Sequence, residues 1–430
     1  MVPLFSNTTP AKTTSWKVVL PFYGYAAVSF LAATVLLFFA SDHFTQHYFE
    51  PPTLAVTHAM ALGWGTMIIL GASHQLVPVI VEGKLYSEKL AALSFLLAAI
   101  GIPLLVYGFY VFDIGIPIRW GGSLVVGAIL LFVVNLGKSM SKSQSQNVHA
   151  AFVFTASIWL LLTVSLGLTL AFNFGEVIMP EGSMHYLPLH ASLGMIGWFL
   201  MLVIGVGARL IPMFLISKYE HPRLLWWVYY LINGALVSFF LIFYLSGSPD
   251  WYFLPLGALL VAVVLFLYYC RKAFQQRLRK KVDPQMRLSL FSAAMIALPI
   301  LILAGIILGI SKVGSVFMPL VLCYGFLVFF GWLTALILGM TFKTLPFIVW
   351  NKVYHLKSAQ ANTPSPKELF SQHLFKAMSG CYILGVIVFC TGIVGHSLVV
   401  LKIGAVLLII TAFLYTWNVI KILGHKPSQE

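Results

Sequence analysis

Charge is scarce in this chain. Of 430 residues, 9% are charged and 60% are apolar, and only 12 are Asp or Glu. An ordinary globular domain carries roughly 25% charged residues, and a soluble surface of this size cannot be covered with so few. A string of soluble domains is therefore excluded, and the chain reads as integral to a membrane. A membrane β-barrel is excluded as well. Barrel strands are alternating segments of about ten residues, whereas the apolar runs here reach roughly twice that length. The four cysteines, Cys270, Cys323, Cys381 and Cys390, fall in or beside apolar runs with no C-x-x-C pair. That pattern suggests buried thiols rather than a disulfide or zinc site, and the lack of C-x-x-C-H excludes covalent c-type haem. There is no phosphate-binding glycine loop and no nucleophile arrangement. The first apolar run is too long for a cleaved signal and reads as a retained span.

Twelve runs are long enough to cross about 30 Å of hydrocarbon. They fall near 18–40, 52–81, 88–111, 116–137, 150–173, 186–214, 224–246, 251–270, 288–310, 314–350, 375–396 and 399–423. The second, sixth and tenth are the long ones. The formal net charge is +14, and its distribution explains it without nucleic acid. Lys84, Lys89, Lys138, Lys142, Lys218, Arg223, the cluster Arg271 to Arg287, and Lys352 to Lys376 occupy the even-numbered connections. The odd ones hold only Arg119, Lys312 and Lys402. The positive-inside rule then places both termini in the cytoplasm, with cytoplasmic loops at 271–287 and 351–376. The first of these loops faces anionic headgroups. The second, with Ser358, Asn362, Pro364 and Pro366, is a polar linker. Eleven of the 12 carboxylates fall outside the spans and the other, Glu88, is the first residue of one, which argues against a carboxylate proton relay and hence against pumps.

An internal repeat is present. GWGTMIILGASHQLVPVIVEGK from Gly63, GWFLMLVIGVGARLIPMFLISK from Gly197 and GWLTALILGMTFKTLPFIVWNK from Gly331 align without a gap, 134 residues apart. The common frame is G-W-x6-G-x6-P-x5-K. Each period holds four spans, so the chain is expected to be a single all-α membrane domain, residues 1–430. It would comprise three parallel four-helix repeats, about 15–140, 149–274 and 285–423, with pseudo-threefold symmetry. The frame glycines suit close helix contact, and the frame tryptophans read as packing. Gln75, Arg209 and Lys343 are equivalent positions near the inner end, where the two cations are expected to snorkel toward lipid phosphate.

This architecture resembles subunit I of the haem-copper oxidases. The segment Thr57–Ile80, THAMALGWGTMIILGASHQLVPVI, is similar to the second helix of that superfamily. His58 stands at the position of its low-spin haem ligand. The segment Leu189–Pro212, LHASLGMIGWFLMLVIGVGARLIP, is similar to the sixth helix of C-type oxidases and nitric oxide reductases. His190 lies in the region of their copper-ligand His. At motif level the resemblance is confined to these two helices. The tenth helix, which carries two haem-ligand His in the superfamily, reads LCYGFLVFFG over Leu322–Gly331 and has none. The seventh, Trp226–Ser246, also has none. The resemblance implies the scaffold and one or two b-type haem sites without an oxygen-reducing haem-copper centre. Lone subunit-I-like proteins, including the NnrS type linked to nitric oxide, are the nearest comparison.

Of twelve histidines, those within a bilayer are functional candidates by default, and neutral imidazole is a good iron ligand. His58 lies five residues before its frame glycine and His190 seven before its own. Two residues turn a helix by about 200°, so the pair occupy non-equivalent faces of equivalent helices. They either bracket one haem between helices two and six or serve separate sites. In the second case His396 is a partner for His58, and His185 accompanies His190. His43 and His47, four apart, share a face if helix one continues outward. His74 occupies a place that is Ala208 and Phe342 in the other copies. His149, His221, His355, His373 and His425 are expected to be solvated in basic loops.

The leading expectation is a haem protein of the cytoplasmic membrane. It would bind haem b through His58 and His190, with copper as a further option, and act in electron transfer or nitric oxide sensing or handling with a redox partner protein. Whether it is an enzyme stays open; if so, it is an oxidoreductase. Two alternatives are a permease, perhaps for a metal ion, and an assembly partner that binds a respiratory subunit.

Overall fold

The computed structural model describes residues 14–80, 83–141, 147–246, 248–314, 317–354 and 363–426. Lys142, His355, Ser358 and Asn362 lie outside the described residues. Among those described there is no strand, and twelve helices are long and apolar enough to cross a membrane. They are α1 (Trp16–Phe39), α2 (Pro51–Ile80), α3 (Glu88–Val111), α4 (Ile116–Met140), α5 (Val148–Asn173), α6 (Leu187–Leu215), α7 (Pro222–Leu245), α8 (Pro249–Gln275), α9 (Pro284–Val313), α10 (Met318–Tyr354), α11 (Gln372–Val394) and α12 (Leu398–Leu423).

Local chemistry sets where these helices start. The side chains of Ser15, Ser87, Asn147, Asp283 and Ser371 accept first-turn amide hydrogens at α1, α3, α5, α9 and α11. Proline occupies the first turn of α2, α4 and α6, where its missing N–H costs nothing.

Burial then sorts the helices. In α2, α6 and α10, 83%, 72% and 72% of the most apolar stretch is buried, against 50% or less in the other nine. These three form the centre and the rest surround them. Glycine permits the closest approaches. A Cβ added to Gly71 would run into Phe22, one at Gly205 into Phe152, and one at Gly339 into Ser289. In each case the neighbour belongs to the helix that precedes it in the chain.

Each central helix widens by one residue per turn at one place. π-Helical segments cover Ala59–Thr66, Leu193–Leu200 and Leu327–Leu333. Just within these segments lie the tryptophans of the sequence frame. Trp64 Nε1 donates to Thr334 Oγ1 at 3.0 Å, and Trp198 Nε1 donates to Thr66 Oγ1 at 3.0 Å. Trp332 Nε1 is buried without a partner. Phe30 stacks on Trp64 at 4.4 Å, so the frame tryptophan of α2 is also a packing element.

Several polar expectations are corrected here. Lys343 does not snorkel: its ammonium bonds the carboxylate of Asp283, and the two side chains are 10% and 14% exposed. Asp283 caps α9 and so delivers a carboxylate beside α10, a contact across 60 residues that no local pattern reveals. Arg209 lies 3.7 Å from Glu220 and is half exposed. His43 and His47 do not share a helical face, because α1 ends at Phe39 and a 3₁₀ turn follows over Ser41–Thr45. His43 instead meets Glu50 at 3.3 Å, and His47 Nδ1 accepts the Phe49 amide hydrogen. His149, expected to be solvated, is half-buried in the first turn of α5, with Nδ1 2.9 Å from the Gly205 carbonyl oxygen. His221 accepts the Leu224 amide hydrogen at the start of α7, and His425 Nε2 pairs with the Tyr354 hydroxyl at 2.9 Å.

Candidate functional site

Near the start of the central helices lie two half-buried imidazoles. Glu50 and two prolines set α2 in motion, and His58 follows two turns later, immediately before the π segment. Pro188 sits in the first turn of α6, and His190 follows within that turn. His58 Nδ1 lies 2.8 Å from the Leu54 carbonyl oxygen, and His190 Nδ1 lies 3.0 Å from that of Thr163 in α5. A carbonyl oxygen only accepts, so each Nδ1 carries the proton. Each Nε2 is then left with a lone pair, the tautomer a metal ligand needs. Among the described residues neither Nε2 has a hydrogen-bond partner.

The two rings lie close together. Their centroids are 6.3 Å apart and their planes differ by 24°. A metal–imidazole bond of about 2.0 Å on each side, with roughly 1 Å more from each nitrogen to its ring centre, requires a separation of roughly 6 Å. Both rings line a single cavity of about 570 Å³. Its walls are almost wholly apolar and draw on α2 to α10, among them Phe109, Val125, Leu168, Phe239, Leu256 and Phe329. Phe109 lies flat on His58 at 4.3 Å with a 20° interplanar angle. Gly167 makes room for His190: a Cβ there would sit 2.7 Å from His190 Cε1. Thr53 also lines the cavity, one to two turns before His58, with its hydroxyl buried and unpartnered.

The other candidates lie elsewhere. His185 is exposed, its ring 4.9 Å from those of Tyr186 and Phe243, and is not on the cavity wall. His396 is exposed just beyond the end of α11, at φ 48°, and does not line the cavity either. His74 is 1% exposed between Phe22 and Phe132, with no hydrogen-bond partner for either ring nitrogen, but is not on the wall. Gly167, the Thr163 carbonyl and Thr53 escaped notice in the sequence. A glycine in an apolar run and a main-chain carbonyl carry no signal until α5 and α6 are placed side by side.

Chemically, the cavity offers two neutral imidazoles close together in an apolar space. Among the described residues, no three of His, Cys, Asp and Glu are placed to hold a metal ion together. Two imidazoles are too few for the four-coordinate site that a structural divalent ion takes from protein. Two imidazoles would suffice to hold a haem iron. No family model matches this chain, and no curated protein matches it.

Proposed function

We propose that the protein is a haem-binding membrane protein related to haem-copper oxidase subunit I, with one b-type haem held between α2 and α6 by His58 and His190. The observation that carries this reading is the pair itself: two Nδ1-anchored imidazoles 6.3 Å apart on one cavity wall, each with a free Nε2. When bound, such a group supplies one-electron chemistry. His58 and His190 would together hold the group, an arrangement that would favour electron transfer to a partner protein over gas binding. Nitric oxide handling would require one imidazole to let go.

The same reading extends to the fold. The three π segments begin at residues 59, 193 and 327, the interval of the sequence frame. The Trp-to-Thr bonds also run cyclically: the first repeat donates to the third, and the second donates to the first. Both observations support three parallel four-helix repeats about an axis normal to the membrane. The Lys and Arg distribution supports a cytoplasmic membrane with both termini inside.

The test is an absorption spectrum of the protein purified after expression with ample haem. A Soret band with low-spin character is expected in the wild type. His58→Ala and His190→Ala should lose it or turn high-spin, while His185→Ala and His396→Ala leave it unchanged. No Soret band in the wild type refutes the proposal. Metal analysis on the same sample separates iron from copper.

A further inference from the structure

Two of the four cysteines meet between α10 and α11. These helices follow one another in the chain and run antiparallel. Tyr382 of α11 donates its hydroxyl hydrogen to the Gly331 carbonyl oxygen of α10. Eight residues back along α10 and eight forward along α11 then reach one level, about 12 Å nearer the end of the bundle. The residues there are Cys323 and Cys390. Between the two levels the rings of Phe326 and Phe389 stack with centroids 4.5 Å apart. The thiols of Cys323 and Cys390 lie within hydrogen-bonding reach of each other. The sequence suggested isolated buried thiols; the pairing of α10 with α11 joins two of them.

All four cysteines are free. Cys381 stands nine residues before Cys390, about two and a half turns, so it is on the opposite face of α11. Cys270 lies in the last turns of α8. Cys323 is 4% exposed, whereas Cys390 is half-buried. Ile387 and Val394, one turn to either side of Cys390, are 55% and 58% exposed, so Cys390 stands at the margin of the lipid-facing stripe of α11. A lone buried thiol is inert, but two in contact need only surrender two hydrogens to join. A soft metal ion on the pair would require thiolates, and so charge in hydrocarbon; the dithiol and the disulfide are both neutral. The pair lies toward the end of the bundle with the fewer loop cations. The positive-inside rule would turn that end outward, the side on which disulfides persist.

We propose that Cys323 and Cys390 are a redox-active dithiol that closes to a disulfide across α10 and α11, with a lipid-soluble quinone as the oxidant. Two S–H bonds break and one S–S bond forms. The two protons and two electrons pass to the quinone, which leaves as the quinol. An oxidant dissolved in the bilayer suits the site, because Cys390 is approached from the lipid and Cys323 lies behind it. The inference is independent of the haem reading.

The test uses the full chain, reduced, freed of reductant and placed in lipid nanodiscs with decylubiquinone under argon. After unfolding, the remaining thiols are labelled with a maleimide and counted by mass spectrometry, and quinol is followed by absorbance. Wild type should fall from four free thiols to two and form one quinol per protein. A non-reducing peptide map should join the Cys323 and Cys390 peptides, and dithiothreitol should restore all four thiols. Cys323→Ser and Cys390→Ser should each keep three thiols and form no quinol. The double variant Cys270→Ser with Cys381→Ser, which leaves the pair intact, should form the disulfide and the quinol as wild type does. Four thiols persisting in wild type, a bridge that includes Cys270 or Cys381, or thiol loss without quinol overturns the proposal.

Discussion

Trp332 offers a test of the three-part architecture at one atom. Its Nε1 is buried and unbonded, while Trp64 and Trp198, at the same frame position, donate to Thr334 and Thr66. Continuing the cycle, Trp332 should meet residue 200, which is Leu200, 4% exposed in α6. Leu200→Thr would supply the missing acceptor. A side-chain hydrogen bond between membrane helices contributes about 0.6 kcal/mol on average and up to about 1.7. Against it, the smaller apolar side chain forfeits roughly 1.5 kcal/mol of burial. The single substitution should therefore be close to neutral or mildly destabilising, and the signal lies in coupling. Leu200→Thr should be better tolerated beside Trp332 than beside Trp332→Phe, with an interaction energy of about 1 kcal/mol in a double-mutant cycle. Unfolding in mixed SDS micelles, followed by tryptophan fluorescence or circular dichroism, measures it. The mirror experiments remove an existing acceptor. Thr66→Val and Thr334→Val keep the shape but strand an indole N–H, and should each cost about 1–2 kcal/mol. A coupling indistinguishable from zero at position 200, with both valine variants also neutral, would refute the cyclic arrangement.

Gly167→Ala should displace the His190 ring, which stands 2.7 Å from where the new methyl would lie. Haem retention should fall at least tenfold with helicity unchanged, by Soret absorbance against far-ultraviolet circular dichroism. Gly205→Ala should instead destabilise the bundle by about 1–3 kcal/mol by forcing Phe152 away, read as a lower midpoint in the same SDS unfolding. Asp283→Asn keeps a good cap for α9 but leaves the Lys343 ammonium without its partner, and should cost about 3 kcal/mol at neutral pH. Burial pushes the Asp283 carboxyl up, but bonds from Lys343 and from the Met286 amide outweigh it and hold it below the ordinary carboxylate range. The pair's contribution is thus complete above the unfolded carboxyl value of about 4 and fades as pH falls below it. The wild type should lose stability in that acid window, and Asp283→Asn should lose less there; equal acid slopes would rule the pair out.

Much of the fold was legible in the chain because lipid imposes one requirement on every span. Twelve apolar runs appeared at nearly the limits the helices take, since a backbone in hydrocarbon must be a helix or a closed barrel and runs this long suit only the helix. His58 and His190 stood out in the sequence, because imidazoles amid apolar helix starts are rare and expensive. That their rings line one cavity was not legible. Their 200° offset on separate helices allowed one site or two, and only the placement of α6 against α2 brings the rings together. The reading of Lys343 failed for the same reason in reverse. A lysine near a helix end normally reaches for water, and its partner Asp283 lay 60 residues away in a loop that looked merely basic. His149 was misjudged because the glycine that admits its neighbour Phe152, Gly205, also offers it a carbonyl.

The sequence by itself determined the solvent, the spans, the 134-residue frame and the scarcity of membrane charge, because each follows from composition or period along one dimension. The tertiary structure decided which polar groups find partners. It brought two histidines from different helices to the wall of one apolar cavity, and left one of three tryptophans without an acceptor. Those outcomes depend on distances between helices, which no periodicity along the chain encodes.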